Sequence, residues 1–482
     1  MTKFLSSAGF RAHRHVIGVI GALIAVYLVA APLGMIPHLP ELVHPPVRPH
    51  LWSILPFTLL LAAIATLPLL DQARHWWERN LNKFYVAVNL ALVTLAYLAY
   101  FQPEASIGRA AHTLAEVVLE DYIPFIVLLF SLYTISGGIR VAGDLPAHAL
   151  TNTAFLAIGG LLASLIGTTG AAMLLVRPLL ETNRQRKRVA HTAVFFIFVV
   201  CNCGGLLLPL GDPPLFLGYL SGVPFLWTLK LWKSWLFING LLLAVYFLWD
   251  HFVCYPREAK TDLARDEGQT HRLRFRGVWP NGLLLLGVIL SVALLDAEHA
   301  LPGTDWRPWP YLREIAQLAL VAVSLTFGSH EVREDNEFDY LAIVEVAALF
   351  IGIFICMQPA LRILRLEGAH LGIDTPQECF WASGSLSAVL DNAPTYLVFF
   401  QAAKGIANQP DLVAGVAEPL LRGVSLGSVC MGAMTYIGNG PNFMVKSIAE
   451  KSGVAMPSFF GYLLYSFGVL LPILLVHAWL FF

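Results

Sequence analysis

The stretch CNCGGLLLPLGDPP at residues 201–214 interrupts a long apolar segment with glycines, prolines and one aspartate. A similar stretch, CMGAMTYIGNGP, occupies residues 430–441. Each is preceded by another interrupted apolar segment, SLIGTTGAAM at 164–173 and SAVLDNAPTY at 387–396. Further landmarks flank both sets in the same order, namely Asp121-Tyr122 and Asp339-Tyr340 before them, and Pro224 and Pro457 after them. This shared order predicts an internal repeat whose alignment needs gaps.

The composition is that of an integral membrane protein. Hydrophobic residues make up 57% of the 482 residues and charged residues only 13%, against roughly 25% charged in an average soluble domain. A soluble fold could not cover so much apolar surface. We therefore predict an all-α polytopic membrane protein whose partner is the lipid bilayer. No basic tract has the interleaved aromatic residues of a nucleic-acid surface, and no phosphate loop, HExxH motif or nucleophile elbow indicates an enzyme.

Apolar stretches long enough to cross about 30 Å of hydrocarbon recur along the chain. Two stretches, 145–183 and 375–405, are too long for one span and are split by GTTG at 167–170 and DNAP at 391–394. We predict about eleven transmembrane helices and two re-entrant hairpins. The helices are predicted near residues 15–36, 51–70, 84–101, 122–139, 191–221, 232–253, 280–296, 311–328, 340–357, 411–446 and 457–480.

Basic residues predict the orientation, because Lys and Arg favour the cytoplasmic side of a membrane. Arg140 before the first split stretch and the basic run at 184–188 after it both favour the cytoplasm. The stretch 145–183 is therefore expected to enter and leave on one face. The same rule places the N-terminus inside and opens the second hairpin from the outside, which predicts inverted-topology repeats with broken helices. An alternative counts each hairpin as a full crossing, but it leaves one basic cluster outside.

The repeat divides the chain into four parts. Residues 1–118 are N-terminal helices, 119–253 form the first repeat, 254–278 are a cytoplasmic linker, and 279–482 form the second repeat. Duplicated membrane folds of this kind place substrate and coupling ion near the bilayer midplane, on helices interrupted by small and polar residues. We therefore expect a secondary transporter in a bacterial inner membrane.

Two aspartates stand at the predicted interruptions. A charged side chain at the bilayer centre costs roughly 2.5 to 10 kcal/mol or more, so it is retained mainly where it has a function. Asp212 lies at the first helix break and Asp391 at the second hairpin tip, while Asn439 and either Thr168 or Thr169 occupy the corresponding positions of the other repeat. Carboxylate, amide and hydroxyl oxygens suit a small hard cation. A carboxylate in a partly dry cavity also holds protons, so cation and proton are expected to compete for it.

The predicted ion-binding set extends these positions to their neighbours. It comprises Thr168, Thr169, Asp212, Asp391, Asn392, Thr395, Asn439 and Asn442, with Asp212 and Asp391 as ligands of a transported Na⁺ and Glu345 as a candidate proton carrier.

Structural interpretations stay open beside the functional ones. Asp391 could cap a helix, Asp212 could be a turn residue, and Glu345 could extend to the membrane surface. Asn202 is interpreted as an interhelical hydrogen-bond partner.

The motifs also resemble a known superfamily. SLSAVLDNAPT, GAMTYIGNGPNFMVKSIAEKSGV and CNCGGLLLPLGDPP are similar to segments of the ion transporter superfamily, most closely its NhaD-type sodium/proton antiporter and arsenite-permease branch, over residues 120–480. The related citrate and dicarboxylate carriers share the plan of eleven helices and two hairpins, but use Ser-Asn-Thr at both tips where this chain has GTTG and LDNAPT. The resemblance also implies a homodimer assembled through the N-terminal helices.

The leading expectation is a Na⁺/H⁺ or Li⁺/H⁺ antiporter that works by alternating access. It would need no cofactor beyond the transported Na⁺ and H⁺. The alternative is a proton- or sodium-coupled carrier of a small anion, such as citrate, a dicarboxylate or a metalloid oxyanion. In that case the N-terminal ends of half-helices would face the anionic oxygens.

Overall fold

The computed structural model describes residues 2–36, 48–103, 105–259, 261, 271–297, 304–406 and 411–482. These residues form an all-α polytopic membrane protein with only four short strands, which confirms the predicted fold class. Within these described ranges, five helices are long and apolar enough to cross a membrane, and the bent pair Leu341–Cys356 and Gln358–His370 would add a sixth span. Several other apolar helices are shorter than a full span, so the count of eleven stays a prediction.

Many of the helices begin with proline in the first turn, where its missing N–H costs nothing and its fixed φ favours a helix. The helices are α1 (Thr2–Ala30), α2 (Leu55–Thr66), α3 (Asp71–Trp77), α4 (Asn80–Tyr100), α5 (Ile107–Glu116), α6 (Ile123–Ser136), α7 (Ala149–Ile166), α8 (Thr168–Thr182), α9 (Ala190–Val199), α10 (Pro213–Leu220), α11 (Trp232–Trp249), α12 (Val278–Leu294), α13 (Leu312–Phe327), α14 (His330–Asp335), α15 (Leu341–Cys356), α16 (Gln358–Glu367), α17 (Pro376–Ser387), α18 (Asn392–Lys404), α19 (Glu418–Met431), α20 (Gly440–Lys451), α21 (Phe459–Tyr465) and α22 (Leu471–Phe481). The strands are β1 (Arg140–Asp144), β2 (His271–Arg276), β3 (Leu412–Val413) and β4 (Val416–Ala417).

Helices α7 and α8 form the first hairpin. The chain turns between them at Gly167, whose φ of 80° is readily adopted by glycine. At the base of the hairpin, Asn152 and Asn183 exchange two amide hydrogen bonds of 2.9 and 2.8 Å, which hold the start of α7 beside the end of α8. Helix α9 follows, and residues 200–212 interrupt it before α10.

Helices α17 and α18 form the second hairpin. A capping box between Thr375 and Glu378 begins α17, and residues 388–391 form the tip. The β-hairpin of β3 and β4 then leads into α19, so this helix begins at Glu418 and not at the predicted 411. Residues 432–439 break the chain before α20, at the position that the sequence predicts.

The broken helices lie at the centre of the bundle. Every residue from His191 to Val199 in α9 is buried, and α19 is buried from Gly423 to Met431. A helix that is buried on all sides belongs to the core of a protein and not to its lipid-facing surface. At the periphery, α4 packs closely on α15, where a Cβ added to Gly352 would lie 2.7 Å from the Cβ of Ala87.

Two regions differ from the sequence-based expectation. Asp121 lies in a π-helical turn, Val117–Tyr122, that joins α5 to α6, so it does not begin its helix as expected. The predicted linker 254–278 contains strand β2, which pairs antiparallel with β1 immediately before the first hairpin. Residues 260 and 262–270 of that linker lie outside the described residues. The backbone pairing and the π-turn both depend on contacts that periodicity cannot show.

Candidate functional site

Each hairpin tip binds the neighbouring helix break through one backbone hydrogen bond. The N–H of Thr168 donates to the carbonyl oxygen of Gly211 at 2.8 Å, and the N–H of Asn392 donates to that of Gly438 at 3.1 Å. The donors are the first residues of α8 and α18, where helical N–H groups lack partners within the helix. The two halves of the chain therefore use the same tip-to-break contact.

Paired glycines bring each break into a tight loop. A Cβ at Gly211 would lie 2.0 Å from the carbonyl oxygen of Gly205, and one at Gly438 would lie 2.6 Å from that of Gly432. Side chains at these positions would collide with backbone atoms, which cannot move aside cheaply. Glycine is required here by close approach, and this explains the interruptions in the sequence.

Asp212 is the central group of the candidate site. It is the residue before α10, it is 1% exposed, and its carboxylate accepts three side-chain hydrogen bonds. The Thr168 hydroxyl and the Asn439 amide donate to Oδ1, both at 2.9 Å, and the Asn392 amide donates to Oδ2 at 2.5 Å. We call these four residues the Asp212 ring. The first half of the chain supplies Asp212 and Thr168, and the second half supplies both amides.

The side-chain oxygen of Asn392 makes no hydrogen bond among the described residues. Its Nδ2 binds Asp212, whereas its Oδ1 is buried without a hydrogen-bond partner among the described residues. A buried acceptor without a partner costs free energy, and the orientation of the amide is assigned from its contacts. An unused oxygen beside a carboxylate is suited to accept a proton donor or a cation.

Asp391 and Thr395 lie at the second hairpin tip, where their side chains form hydrogen bonds with the backbone at the start of α18. Asp391 is the half-buried N-cap of α18, and its Oδ1 accepts the N–H of Ala393 at 3.1 Å. The Thr395 hydroxyl donates to the carbonyl oxygen of Asp391 at 2.9 Å. The capping interpretation therefore describes the contacts of Asp391. The tip-to-break hydrogen bonds pair Thr168 with Asn392 and so place Gly167 opposite Asp391, which corrects the expected match with Thr168 or Thr169.

Thr169 lines a narrow crevice that reaches the Asp212 ring from one side. The crevice lies between α6 and α15, and the first tip and the first break form its end. Its polar lining includes Thr168, Thr169 and Tyr133, and Gly211 and Pro213 on either side of Asp212 also line it. The crevice therefore borders the ring at Thr168, whereas Asp212 itself does not line it.

A known protein family matches the chain over most of its length. The family model CitMHS_2, described as "Putative citrate transport", matches residues 47–482. The chain belongs to this family. No curated protein matches the chain. Membership indicates a citrate/ion transporter rather than an enzyme, and it agrees with the apolar helices of an integral membrane protein.

In this citrate-transport family member, Glu345 lies apart from the Asp212 ring. Its Oε1 is 2.5 Å from the Nζ of Lys83 on α4, and Lys83 is buried. The neighbouring α15 residues Ala342, Ile343 and Val346 line the crevice, so Glu345 occupies another face of the helix. Its role as a proton carrier stays a prediction, and the ion pair provides a structural role.

Two further asparagines extend the Asp212 ring. The amide of Asn202 donates to Asn442 Oδ1 at 2.8 Å, and its oxygen accepts from Asn439 at 3.2 Å. Asn442 belongs to the predicted ion-binding set, whereas the sequence predicts Asn202 only as an interhelical hydrogen-bond partner. It does link elements, yet one of its partners, Asn439, belongs to the ring. The one signal in the sequence is that Asn202 is polar, whereas Val429, the matching residue in α19, is apolar.

Proposed function

We propose that this protein is a secondary active transporter that exchanges Na⁺ or Li⁺ for protons at Asp212. The family indicates transport of citrate or ions, and the antiport activity of the NhaD-type branch is the finer proposal. The observation that carries it is the buried carboxylate of Asp212, whose side-chain hydrogen-bond donors among the described residues are all neutral, namely Thr168, Asn392 and Asn439. A fixed negative charge at this point attracts a cation and repels an anionic substrate.

The surroundings of Asp212 offer further oxygens for a hard cation. The Asn392 Oδ1 atom has no partner among the described residues, and the two breaks free backbone carbonyls from helical hydrogen bonding. Small hard cations prefer carboxylate, amide and carbonyl oxygens. Helix breaks buried in protein are where membrane transporters place such groups.

Competition follows from the ability of Asp212 to exist in two forms. The ionised form accepts hydrogen bonds and can bind a cation. The protonated form has a hydroxyl to donate, and rotation of the Asn392 amide would offer its unpartnered oxygen to that hydroxyl. Proton and cation therefore cannot both occupy the carboxylate, and alternating exposure of one site to the two sides of the membrane gives antiport.

We further propose that residues 119–253 and 279–482 are inverted repeats with re-entrant hairpins. The matching tip-to-break hydrogen bonds and the amide pair at the base of the first hairpin support this arrangement. A cytoplasmic N-terminus, a bacterial inner membrane and a homodimer formed through residues 1–118 complete the proposal.

A carrier of citrate or a dicarboxylate is the second candidate, and the family description favours it. Helices α8, α10, α18 and α20 all begin at the Asp212 ring. Helix N-termini stabilise anions through their free N–H groups and dipoles. In this case Asp212 would need to be protonated while the anion is bound, which would couple transport to protons.

Transport by the purified protein in liposomes separates the candidates. A pH gradient, acid inside, is imposed, and a pH-sensitive dye reports its dissipation after addition of Na⁺, Li⁺, K⁺ or citrate. We expect Na⁺ and Li⁺ to dissipate the gradient with the intact protein and not with Asp212→Asn. Asp339→Asn is the matched control, because Asp339 Oδ1 caps α15 at the N–H of Leu341 and an amide can do the same.

Each outcome has a stated meaning. Retained Na⁺-dependent exchange in Asp212→Asn would refute the role of Asp212. Dissipation by citrate alone would refute antiport and favour the second candidate. Loss of exchange in Asp339→Asn as well would show that the effect is not specific to the ring.

A further inference from the structure

Asn202 is fixed against the end of the helix that precedes it. It lies in the first break, just after α9, with a backbone φ of −143° and ψ of −86°, and it is fully buried. Its Nδ2 donates to the carbonyl oxygen of Ile197 in the last turn of α9 at 2.9 Å. The side chain is thus held by its own repeat while its other contacts belong to the second.

The amide orientations follow from fixed backbone acceptors. Asn442 donates to the carbonyl oxygens of Gly432 and Thr435 at 2.9 and 3.0 Å, so its own oxygen faces Asn202. The two hydrogens of the Asn202 amide are then used by Asn442 Oδ1 and Ile197 O. An amide has one donor end and one acceptor end. The Asn202 oxygen must therefore face Asn439.

The orientation of Asn202 determines which end of the Asn439 amide faces Asp212. The Asn202 oxygen can be satisfied only by the donor end of Asn439, and that same Nδ2 also donates to Asp212 Oδ1 at 2.9 Å. The backbone oxygen of Cys201 accepts from it as well, at 2.9 Å. Asn439 is thereby prevented from turning its oxygen toward the carboxylate. Backbone carbonyls therefore orient Asn442, Asn442 orients Asn202, and Asn202 helps to orient the Asn439 amide toward Asp212.

We propose that Asn202 is a positioning residue for cation exchange at Asp212. The inference rests on the proposed function and adds a residue that does not contact Asp212 itself. Without the Asn202 oxygen, Asn439 is held less firmly as a donor, and the carboxylate loses part of the arrangement that cation binding requires. The loss of about one buried hydrogen bond corresponds to about a tenfold change in affinity.

The test is Na⁺-dependent exchange in liposomes, measured over a range of Na⁺ concentrations and pH values. Asn202→Ala should raise the Na⁺ concentration for half-maximal exchange about tenfold and change the maximal rate less than about twofold. Asn239→Ala is the matched control. Asn239 is also buried and donates to backbone oxygens, including that of Cys203 at 3.0 Å, and it makes no hydrogen bond to the Asp212 ring among the described residues.

An unchanged half-maximal concentration in Asn202→Ala would overturn the inference, and so would an equal rise in Asn239→Ala. If Asn202→Ala does not fold, Asn202→Asp decides, because it fills the same space and keeps an oxygen toward Asn439. Its second oxygen replaces the amide hydrogens that Asn442 Oδ1 and Ile197 O accept, so the positioning role predicts a higher half-maximal Na⁺ concentration that rises further at pH values where the new carboxyl group is ionised. A half-maximal concentration equal to that of the intact protein at every pH would contradict the positioning role. If the intact protein shows no Na⁺- or Li⁺-dependent exchange, the proposed function and this inference are both overturned. If the intact protein exchanges and Asn202→Ala is unchanged, only this inference is overturned.

Discussion

Replacement of Asp212 by alanine should destabilise the protein much more than replacement by asparagine. The carboxylate accepts from Thr168 and Asn439 at Oδ1 and from Asn392 at Oδ2. An asparagine keeps an oxygen toward the first two donors. Its amide would face Asn392, and that residue can rotate to accept with the oxygen that has no partner among the described residues.

The magnitude follows from the donors that alanine would leave without an acceptor. Asn439 retains two other acceptors, Cys201 O and Asn202 Oδ1, so its loss is small. Thr168 and Asn392 lose the acceptor described for their side-chain donors. At about 1 to 3 kcal/mol for each unsatisfied buried group, alanine should cost about 2 to 6 kcal/mol, and asparagine about 1 kcal/mol or less. A water molecule entering the vacated space would bring the alanine value toward the lower end.

Thermal unfolding in detergent, followed by tryptophan fluorescence, measures the difference. The intact protein and Asp212→Asn should unfold at similar temperatures in the absence of Na⁺, with Asp212→Ala well below both. Saturating Na⁺ should stabilise only the intact protein, by about 2.7 kcal/mol at a concentration one hundred times Kd. Equal unfolding temperatures for the two variants would refute the hydrogen-bond reasoning. Equal stabilisation by Na⁺ would place the cation elsewhere.

Three other predictions test particular contacts. Gly438→Ala should prevent normal folding, because its Cβ would lie 2.5 Å from a backbone oxygen, whereas Gly440→Ala, with nothing within 4 Å, should unfold like the intact protein. Glu345→Gln should cost about 1 to 3 kcal/mol because the buried Lys83 loses its charged partner, and adding Lys83→Met should recover stability in the same unfolding assay; a stable double variant that has lost exchange would instead support the proton-carrier prediction. Leu150→Cys and Glu181→Cys, at exposed positions near the two ends of the first hairpin, should both react with a membrane-impermeant maleimide from the cytoplasmic side only, and the six native cysteines, all buried, should give little background; labelling of the two positions from opposite sides would contradict the re-entrant hairpin.

The sequence predicted the members of the Asp212 ring because they interrupt apolar segments. Thr168, Asp212, Asn392 and Asn439 were all identified in this way, since a polar residue at membrane depth is unusual enough to be noticed. Their convergence could be expected from the order of the landmarks. Which atoms meet could not, because it depends on helix ends that are more than forty residues apart in one repeat and about two hundred apart between repeats.

The register of the tips was beyond sequence reasoning. The offset between the repeats varies, so Asp391 could be matched with several residues of the first tip. The backbone hydrogen bonds to Gly211 and Gly438 decide the match, and they leave Asp391 as a helix cap opposite Gly167. The contacts of Asn202 could not be predicted for a related reason, because its hydrogen-bond partners Asn439 and Asn442 lie 237 and 240 residues away along the chain.

The paired glycines of the two breaks fix the backbone course of the breaks, but they do not fix the identity of the side chains around Asp212. Gly205 with Gly211, and Gly432 with Gly438, hold the main chain so closely that neither loop has room for a different course. In the proposed function the side chains of the Asp212 ring, carried on that frame, bind the ion together with backbone carbonyls of the breaks. We therefore expect ion preference to change through substitutions at positions such as 212 and 439, without a change in the architecture.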